Sequence, residues 1–427
     1  MFPPPLRRGG DRIDLFLAKE KPVSGTGPQP VMALPLEGLR ILALTQLGAG
    51  PYAMTMLSDL GAEILKIEDP TTGGDEARNV PPYAEDGDGL YYQSFNRNTR
   101  SVTVNLRTPE GKDVFRRLVA LSDAVYSNPR GDLPTKLGFD YASLKEINPR
   151  IVCCALSGFG ATGPRAADPA YDFLLQGLAG FMSVTGEPEA EPTRCGVSIV
   201  DFSGGLMSAV GLLIGLLRAR TTGVGSDVDV SLLDTAVSML NYLAVFNLNR
   251  GIEPRRLPGS AHQTLVPSQN FPTRDGFIVI MCMKEKFWQR LAERMDLVEL
   301  LEDARFKTFA DRLENRDALI PILKERFETK TTGEWLSRLS GAVPCAPVNT
   351  ISEALNDEQI RAREMVVGYE HPRFGTIRQV GCPIKIDDVR PRYTHAARLG
   401  ADTDGVLRDL LQMDTDTIEE LRRKGAI

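Results

Sequence analysis

The sequence predicts an α/β protein built on a mostly parallel sheet with covering helices. Three observations carry that reading. Short apolar strands alternate with helices from about residue 40 to residue 155. The texture changes near Arg250, where a proline- and glycine-rich stretch gives way to one strand and a run of amphipathic helices. At 427 residues the chain is also too long for one compact core, which implies two or three domains.

The elements follow in order. Residues 1–35 are rich in proline, glycine and charge with no sustained period, and read as a poorly ordered extension with Met32 as the true start. Arg40–Thr45 reads as a buried strand, and Pro51–Leu60 as a helix whose proline suits a first turn. Gly61 breaks that helix before a second strand, Glu63–Glu68. Ser101–Asn105, Ala124–Ser127 and Ile151–Ala155 are further strands, with a helix over Pro109–Leu121. Helices are expected over Phe173–Met182, Asp201–Arg220 and Leu232–Asn247, around a strand at Ser226–Ser231. The helix from Asp201 is apolar on all sides between Gly204 and Leu217, which predicts full burial. A second domain follows, with a strand at Gly276–Met281 and helices at Lys284–Met295, Asp317–Glu328 and Thr332–Leu339. Beyond Ile351 the chain returns to strands over Gln379–Ile386 and a polar helical tail over Asp404–Lys424. The expected division is 1–35, 36–248, 249–350 and 351–427, the last completing the large domain.

Composition narrows the function classes. Apolar residues make up 42% and charged residues 25%, which is ordinary for a globular protein. The net charge is −6 with both signs interspersed, which argues against nucleic acid as a partner. The longest apolar run, Leu206–Leu217, falls short of the ~20 residues of a membrane span, so no membrane partner is expected. The six cysteines are scattered without a CxxC pair and no signal-peptide pattern precedes them, which points to reduced thiols in a cytoplasm. His262, His371 and His395 lie far apart, so neither a histidine metal cluster nor a two-histidine acid–base pair is expected. The first strand is followed by Gly48-Ala-Gly-Pro51 and not by GxGxxG, which disfavours a nicotinamide dehydrogenase.

Three segments carry chemistry. Asp168-Pro-Ala-Tyr-Asp172-Phe-Leu-Leu-Gln176 puts a carboxylate where a loop becomes an apolar helix, with an amide one turn on. Such a carboxylate either caps a helix or is held ionised by the helix's positive end and attacks an electrophile. Asn96-Arg97-Asn98-Thr-Arg100 is a basic turn before a strand, with guanidinium forks suited to phosphate or simply to solvent. Lys66 and Glu68 end the second strand, where an open α/β sheet places ligands; surface pairing fits them equally well.

Together these segments give the chain its resemblance to the class III CoA-transferases of the CaiB/BaiF family, from about Leu36 to about Asp387. The resemblance rests on ten blocks in order, among them Leu36-Glu-Gly-Leu-Arg-Ile-Leu, Ala49-Gly-Pro51, Leu60-Gly-Ala…Lys66-Ile-Glu, Phe95-Asn-Arg-Asn, Tyr171-Asp172…Gln176…Gly180 and Pro344-Cys-Ala-Pro-Val348. It implies a Rossmann-like large domain with a smaller α/β domain, and two chains interlocked as a homodimer. It implies transfer of CoA from an acyl-CoA to a carboxylic acid, with coenzyme A as substrate and no permanently bound cofactor. The matching nucleophile is Asp172, which attacks the thioester to give a mixed anhydride and then an aspartyl-CoA thioester. A carboxylate is the residue type that can itself become the carrier of CoA. Gly48 and Ala49 match the loop that stabilises the oxyanion. Asn96, Arg97, Asn98 and Arg100 match the CoA-contacting motif, with Thr99 in place of its usual lysine. Lys136 matches a basic position near the diphosphate, and Lys66, by its strand-end position and not by the resemblance, is the expected nucleotide contact.

The chain departs from the family at several points. Gly48 stands where some transferases carry glutamine, with Gln46 two residues earlier. No glycine-run lid exists; Gly259-Ser-Ala-His262-Gln-Thr occupies that stretch. Ser127-Asn-Pro-Arg130-Gly departs from the usual order around its arginine. The family's α-methylacyl-CoA racemases pair the aspartate with a histidine, and this chain has none before His262, which ranks the transferase above the racemase. A CoA-binding protein without turnover, in which Asp172 only caps a helix, is the rival of another class.

Overall fold

The computed structural model describes residues 33–427, residue 86 excepted. Met32 and most of the expected extension lie outside the described residues. Within that extension, Leu34 packs beside Leu60 and Cys382.

Six strands form the central sheet: β1 (Arg40–Leu44), β2 (Glu63–Glu68), β3 (Arg100–Thr103), β4 (Ala124–Ser127), β5 (Val152–Ser157) and β6 (Ser226–Ser231). Their order is β3-β2-β1-β4-β5-β6 and every neighbouring pair is parallel. This is the doubly wound order, whose direction of winding reverses between β1 and β4. Ile41 and Leu42 face opposite sides and are both fully buried, as expected of a parallel sheet covered on both faces.

One face is covered by α1 (Ala49–Asp59) and α5 (Ile199–Thr222). The other is covered by α3 (Pro109–Ala120), α6 (Thr403–Leu411) and α7 (Thr415–Arg423). Local signals explain the ends. Thr108 caps α3 by accepting from Gly111 N–H, with Pro109 in the first turn. Gly223, at φ 75°, ends α5 in the left-handed conformation. A three-stranded antiparallel sheet, β7 (Ser268–Pro272), β8 (Phe277–Met281) and β9 (Cys345–Pro347), has a separate core around Trp288, Phe327 and Trp335. β10 (Val366–His371) and β11 (Gly375–Val380) form a hairpin.

Five expectations need correction. The strand expected over Gln379–Ile386 lies earlier, as β11, and residues 381–386 form no strand. The helix expected over Phe173–Met182 breaks at Gly180 (φ 86°), leaving α4 (Asp172–Leu178) and a short turn of helix, Phe181–Val184. The helix expected over Leu232–Asn247 is two, meeting at Asn241 (φ 41°). The C-terminal tail is also two helices, and it is not simply polar: Val406, Leu407 and Ile418 enter the sheet core. Finally, α5 is not buried all round. Gly204, Ser208 and Leu212 face the protein, whereas Leu206, Met207, Val210, Ile214 and Leu217 are exposed on the chain taken alone. At 24 residues, α5 is also long and apolar enough to meet the length and composition of a membrane span, which the apolar run alone did not suggest.

Candidate active site

Asp172 is the first residue of α4 and is only 4% exposed. Its carboxylate does not cap its own helix. Oδ2 accepts from the backbone N–H groups of Val200 (2.8 Å) and Asp201 (3.1 Å), in the first turn of α5. The N-cap of that helix, Ser198, makes no side-chain bond, so Asp172 satisfies orphan donors from outside. Oδ1 accepts from Gln176 Nε2 at 2.5 Å, and Gln176 Oε1 in turn accepts from Cys195 N–H at 2.8 Å. Two amides, an oriented side-chain amide and the positive end of a 24-residue helix all favour negative charge at Asp172. The carboxylate thus caps a helix, though it is α5 and not its own.

Close packing brings the β1 loop to the same corner. Gly205 of α5 lies against α1 so tightly that a Cβ there would meet the Ala49 carbonyl oxygen at 2.6 Å. The first turn of α1 therefore presents the Gly48 and Ala49 backbone beside the start of α5. The loop before it is fixed from below. Leu47 sits in the left-handed region (φ 63°), and its N–H donates to Asp75 Oδ1 at 2.9 Å. Asn128, after β4, accepts from Gln46 N–H at 2.8 Å and donates to the Gln46 carbonyl at 3.0 Å.

A cleft of about 320 Å³ opens at this point, bounded by Gly48, Ala49, Arg130, Ser157, Tyr171 and Asp201. A second hollow of about 400 Å³ lies beyond the ends of β1 to β4, bounded by Ile67, Val104, Arg107, Leu137 and Phe139. The two share Gln46, Asn128 and Pro129, so they form one trough across the switch point of the sheet. Asp172 stands behind the wall of its reactive end, next to Tyr171 and in contact with Asp201 through that residue's N–H.

The basic residues singled out in the sequence are largely committed elsewhere. Arg97 is buried: Nε and Nη2 grip the two oxygens of Asp59 at 2.8 and 2.6 Å, and Nη1 donates to the Val380 carbonyl at 2.6 Å. No arm of its fork is left for a phosphate. Asn98, at φ 62°, donates to Asp59 and the Arg392 carbonyl and accepts from Thr394 N–H. Asn96 donates back to the Tyr92 carbonyl, and Arg100 pairs with Glu63 and Asp402. This cluster fastens the C-terminal return segment to the end of α1. Lys66 is 1% exposed, paired with Asp75 at 2.7 Å and donating to the Thr45 carbonyl at 2.8 Å, so it supports the Leu47–Gly48 loop from beneath. Lys136 alone of the six remains exposed, paired with Asp132 on the helix that carries Leu137. Arg107 lines the trough with a largely free side chain, its nearest acid being Asp69 at 3.6 Å. The Asn-Arg signal led away from Arg107, which the strand-end rule alone would have flagged.

Asp201, read from the sequence only as a helix start, lines this cleft. Burial and the neighbouring Asp172 charge push its carboxyl up to about 6. His262 stacks on Tyr242, and its Nδ1 accepts from the N–H groups of Thr264 and Leu265, which organises its own loop. That loop reaches Glu187, which accepts from Gly259 N–H at 2.9 Å.

The fold and site together define a doubly wound α/β protein with a helix-held carboxylate at the switch point. Residues 36–403 match the family described as CoA-transferase family III. The human succinyl-CoA:glutarate CoA-transferase is 34% identical over 399 residues, 92% of this chain and 90% of its own. Succinate–glutarate CoA-transferase of Agrobacterium fabrum is 34% identical over 383 residues, covering 88% and 96%. The crystal structure of a CaiB/BaiF family protein from Brucella suis superposes with a TM-score of 0.77 at 34% identity, covering 89% of this chain and all of that one. The chain belongs to CoA-transferase family III, and it is a CoA-transferase.

Proposed function

We propose that the protein moves CoA from a dicarboxylic acyl-CoA to a dicarboxylic acid, with Asp172 as the covalent carrier. The observation that carries this reading is the clamp on Asp172. Val200 N–H and Asp201 N–H occupy both lone pairs of Oδ2 and Gln176 one of Oδ1, so Oδ1 keeps a lone pair for attack. Attack on the thioester carbonyl expels CoA thiolate and leaves an anhydride; the thiolate then attacks the aspartyl carbonyl and releases the free acid. The acceptor carboxylate repeats the two steps in reverse. Gly48 and Ala49 N–H groups serve as donors to the oxyanions. The pantetheine and nucleotide follow the trough, with Arg107 and Arg130 lining it and Lys136 next to its lining residue Leu137 as phosphate partners. The acceptor class is supported by relatives named for succinyl-CoA with glutarate and with mesaconate.

The exposed apolar stripe of α5 supports a homodimer, since an unpartnered face of this kind marks an interaction surface. We read 36–248 with 351–427 as the CoA-binding body and 249–350 as the smaller domain, each holding its own core. The six free cysteines suit a reducing cytoplasm. The test is isotopic exchange between succinyl-CoA and labelled glutarate. Wild type exchanges, whereas Asp172→Asn does not; equal rates in the two would refute the assignment.

A further inference from the structure

We propose that Asp201 is a neutral hydrogen-bond donor of the transfer site, keeping its proton while it donates to the carbonyl oxygen that becomes anionic when Asp172 attacks. This rests on the reading of Asp172 as nucleophile. The placement comes first. Asp201 is the third residue of α5; its backbone N–H holds Asp172, and its side chain lines the cleft opposite Gly48. A methyl group on Gly48 would stand 3.5 Å from Asp201 Oδ2 and 3.9 Å from the Tyr91 hydroxyl. The Asp201 carboxyl therefore stands beside the Gly48 backbone in the same cleft, and the proposed oxyanion sits between the two.

The carboxyl itself is unengaged. Among the described residues, none gives it a hydrogen bond or an ion pair, although it is half-buried in the cleft wall. A carboxyl so placed calls for an explanation. Two influences oppose each other at this carboxyl: the first turn of α5 favours its anion, whereas burial and the Asp172 charge from α4 disfavour it. Asp168, paired with Arg165, lines the same cleft, and the Tyr91 hydroxyl of α2 (Leu90–Asn96) stands near the same Gly48 backbone. The cation on that wall, Arg130, already pairs with Asp132 at 3.3 Å. Burial and the Asp172 charge raise the carboxyl toward neutrality, and an arriving oxyanion or acceptor carboxylate adds to that push.

The chemistry needs such a group. A carboxylate and a thioester become a thioester and a carboxylate, so no proton is gained or lost over the cycle. In the attack on a thioester the electron pair passes from carboxylate oxygen to the carbonyl carbon and the C–S electrons leave on sulfur; in the attack on the anhydride the pair passes from sulfur and the C–O electrons leave on the departing carboxylate. A general acid would protonate the thiolate that must attack next. A donor directed at the carbonyl oxygen and away from the sulfur stabilises the oxyanion without doing so, whereas an ionised Asp201 would repel it. An amide therefore replaces the carboxyl in function, and a methyl does not.

The experiment compares wild type, Asp201→Asn, Asp201→Ala and Asp172→Asn in the full chain, using succinyl-CoA and glutarate. kcat/KM for the acceptor is followed from about pH 5.5 to about pH 8.5. Expected are a decline with rising pH in wild type, its absence in Asp201→Asn with activity within about threefold of the wild-type maximum, and a loss of about 10- to 100-fold in Asp201→Ala. Impairment of Asp201→Asn equal to that of Asp201→Ala overturns the proposal, as does an alkaline decline that survives in Asp201→Asn. Should either variant fail to fold, the infrared carboxylic-acid band of the wild type decides: it must be present at low pH and vanish as the pH rises in step with activity. Asp172→Asn separates the two readings. If it turns over at the wild-type rate, the nucleophile assignment fails; if it is inert while Asp201→Asn behaves as Asp201→Ala, the donor alone fails.

Discussion

Asp172→Asn removes a charge and almost nothing else, yet the hydrogen bonds around it predict a loss of stability as well as of turnover. The new amide has one oxygen for the Val200 and Asp201 N–H groups, and its NH2 then points at Gln176 Nε2, a donor facing a donor. Gln176 cannot turn over without facing its own NH2 toward Cys195 N–H. Either way one buried donor pair is unsatisfied, at a cost of about 1–3 kcal/mol. Loss of the anion at the start of α5 adds about 0.3–1 kcal/mol. The expected deficit is on the order of 2 kcal/mol. Gln176→Glu reverses the conflict in the Asp172→Asn background, because its carboxylate accepts from both Cys195 N–H and the new amide. In the wild-type background the same change sets two carboxylates against each other and destabilises. Urea unfolding followed by far-UV circular dichroism should show both single variants below wild type and the double variant recovered by about 1–2 kcal/mol, with no return of activity. A wild-type midpoint for Asp172→Asn, or a double variant no better than the singles, would refute the reasoning.

Three further outcomes are expected. Arg97→Ala strands Asp59 in the interior and should lower stability by about 3–5 kcal/mol while leaving the KM for acyl-CoA of the folded enzyme nearly unchanged; a selective rise in that KM would return Arg97 to the ligand. Glu68 is desolvated, which alone would raise its carboxyl, but the Arg78 fork, Lys66 and Ser101 outweigh burial and hold it below the ordinary value of 4.5. Its contribution is thus present above that value and lost as the pH falls through the lower, folded one, so the deficit of Glu68→Gln measured by urea unfolding should be full at pH 7 and shrink below about pH 4.5. Arg107→Ala should raise the KM for acyl-CoA about tenfold, the worth of one charge-assisted phosphate contact, with stability within about 0.5 kcal/mol of wild type; an unchanged KM in steady-state assays removes the nucleotide from that end of the trough.

Legibility in the sequence followed the range of the interactions involved. β2, β4 and β6 have the bounds their patterns predict, because short apolar or alternating runs between turn residues are local signals. The helix breaks at Gly180, Asn241 and Gln412 were missed because each turns on a single left-handed residue inside a continuing apolar pattern. The partners of the Asn96–Arg100 cluster were illegible for a different reason. A guanidinium fork suits a carboxylate as well as a phosphate, and its partner, Asp59, lies 38 positions away on another element. The meeting of Asp201 with Asp172, 29 positions earlier, was illegible for the same cause, since the two stand on different helices. The exposure of one α5 face escaped periodicity altogether, since a helix apolar on all sides carries no mark of which side the fold will cover.

The central claim is that the side chain at position 172 becomes covalently activated in turnover. Wild-type enzyme mixed with succinyl-CoA, quenched within milliseconds in hydroxylamine and digested with trypsin should carry a hydroxamate on Asp172 in the peptide 166–194. The modification should vanish when glutarate is present in excess or the donor is withheld. Product formation at the full rate with that peptide unmodified at every quench time would contradict the account.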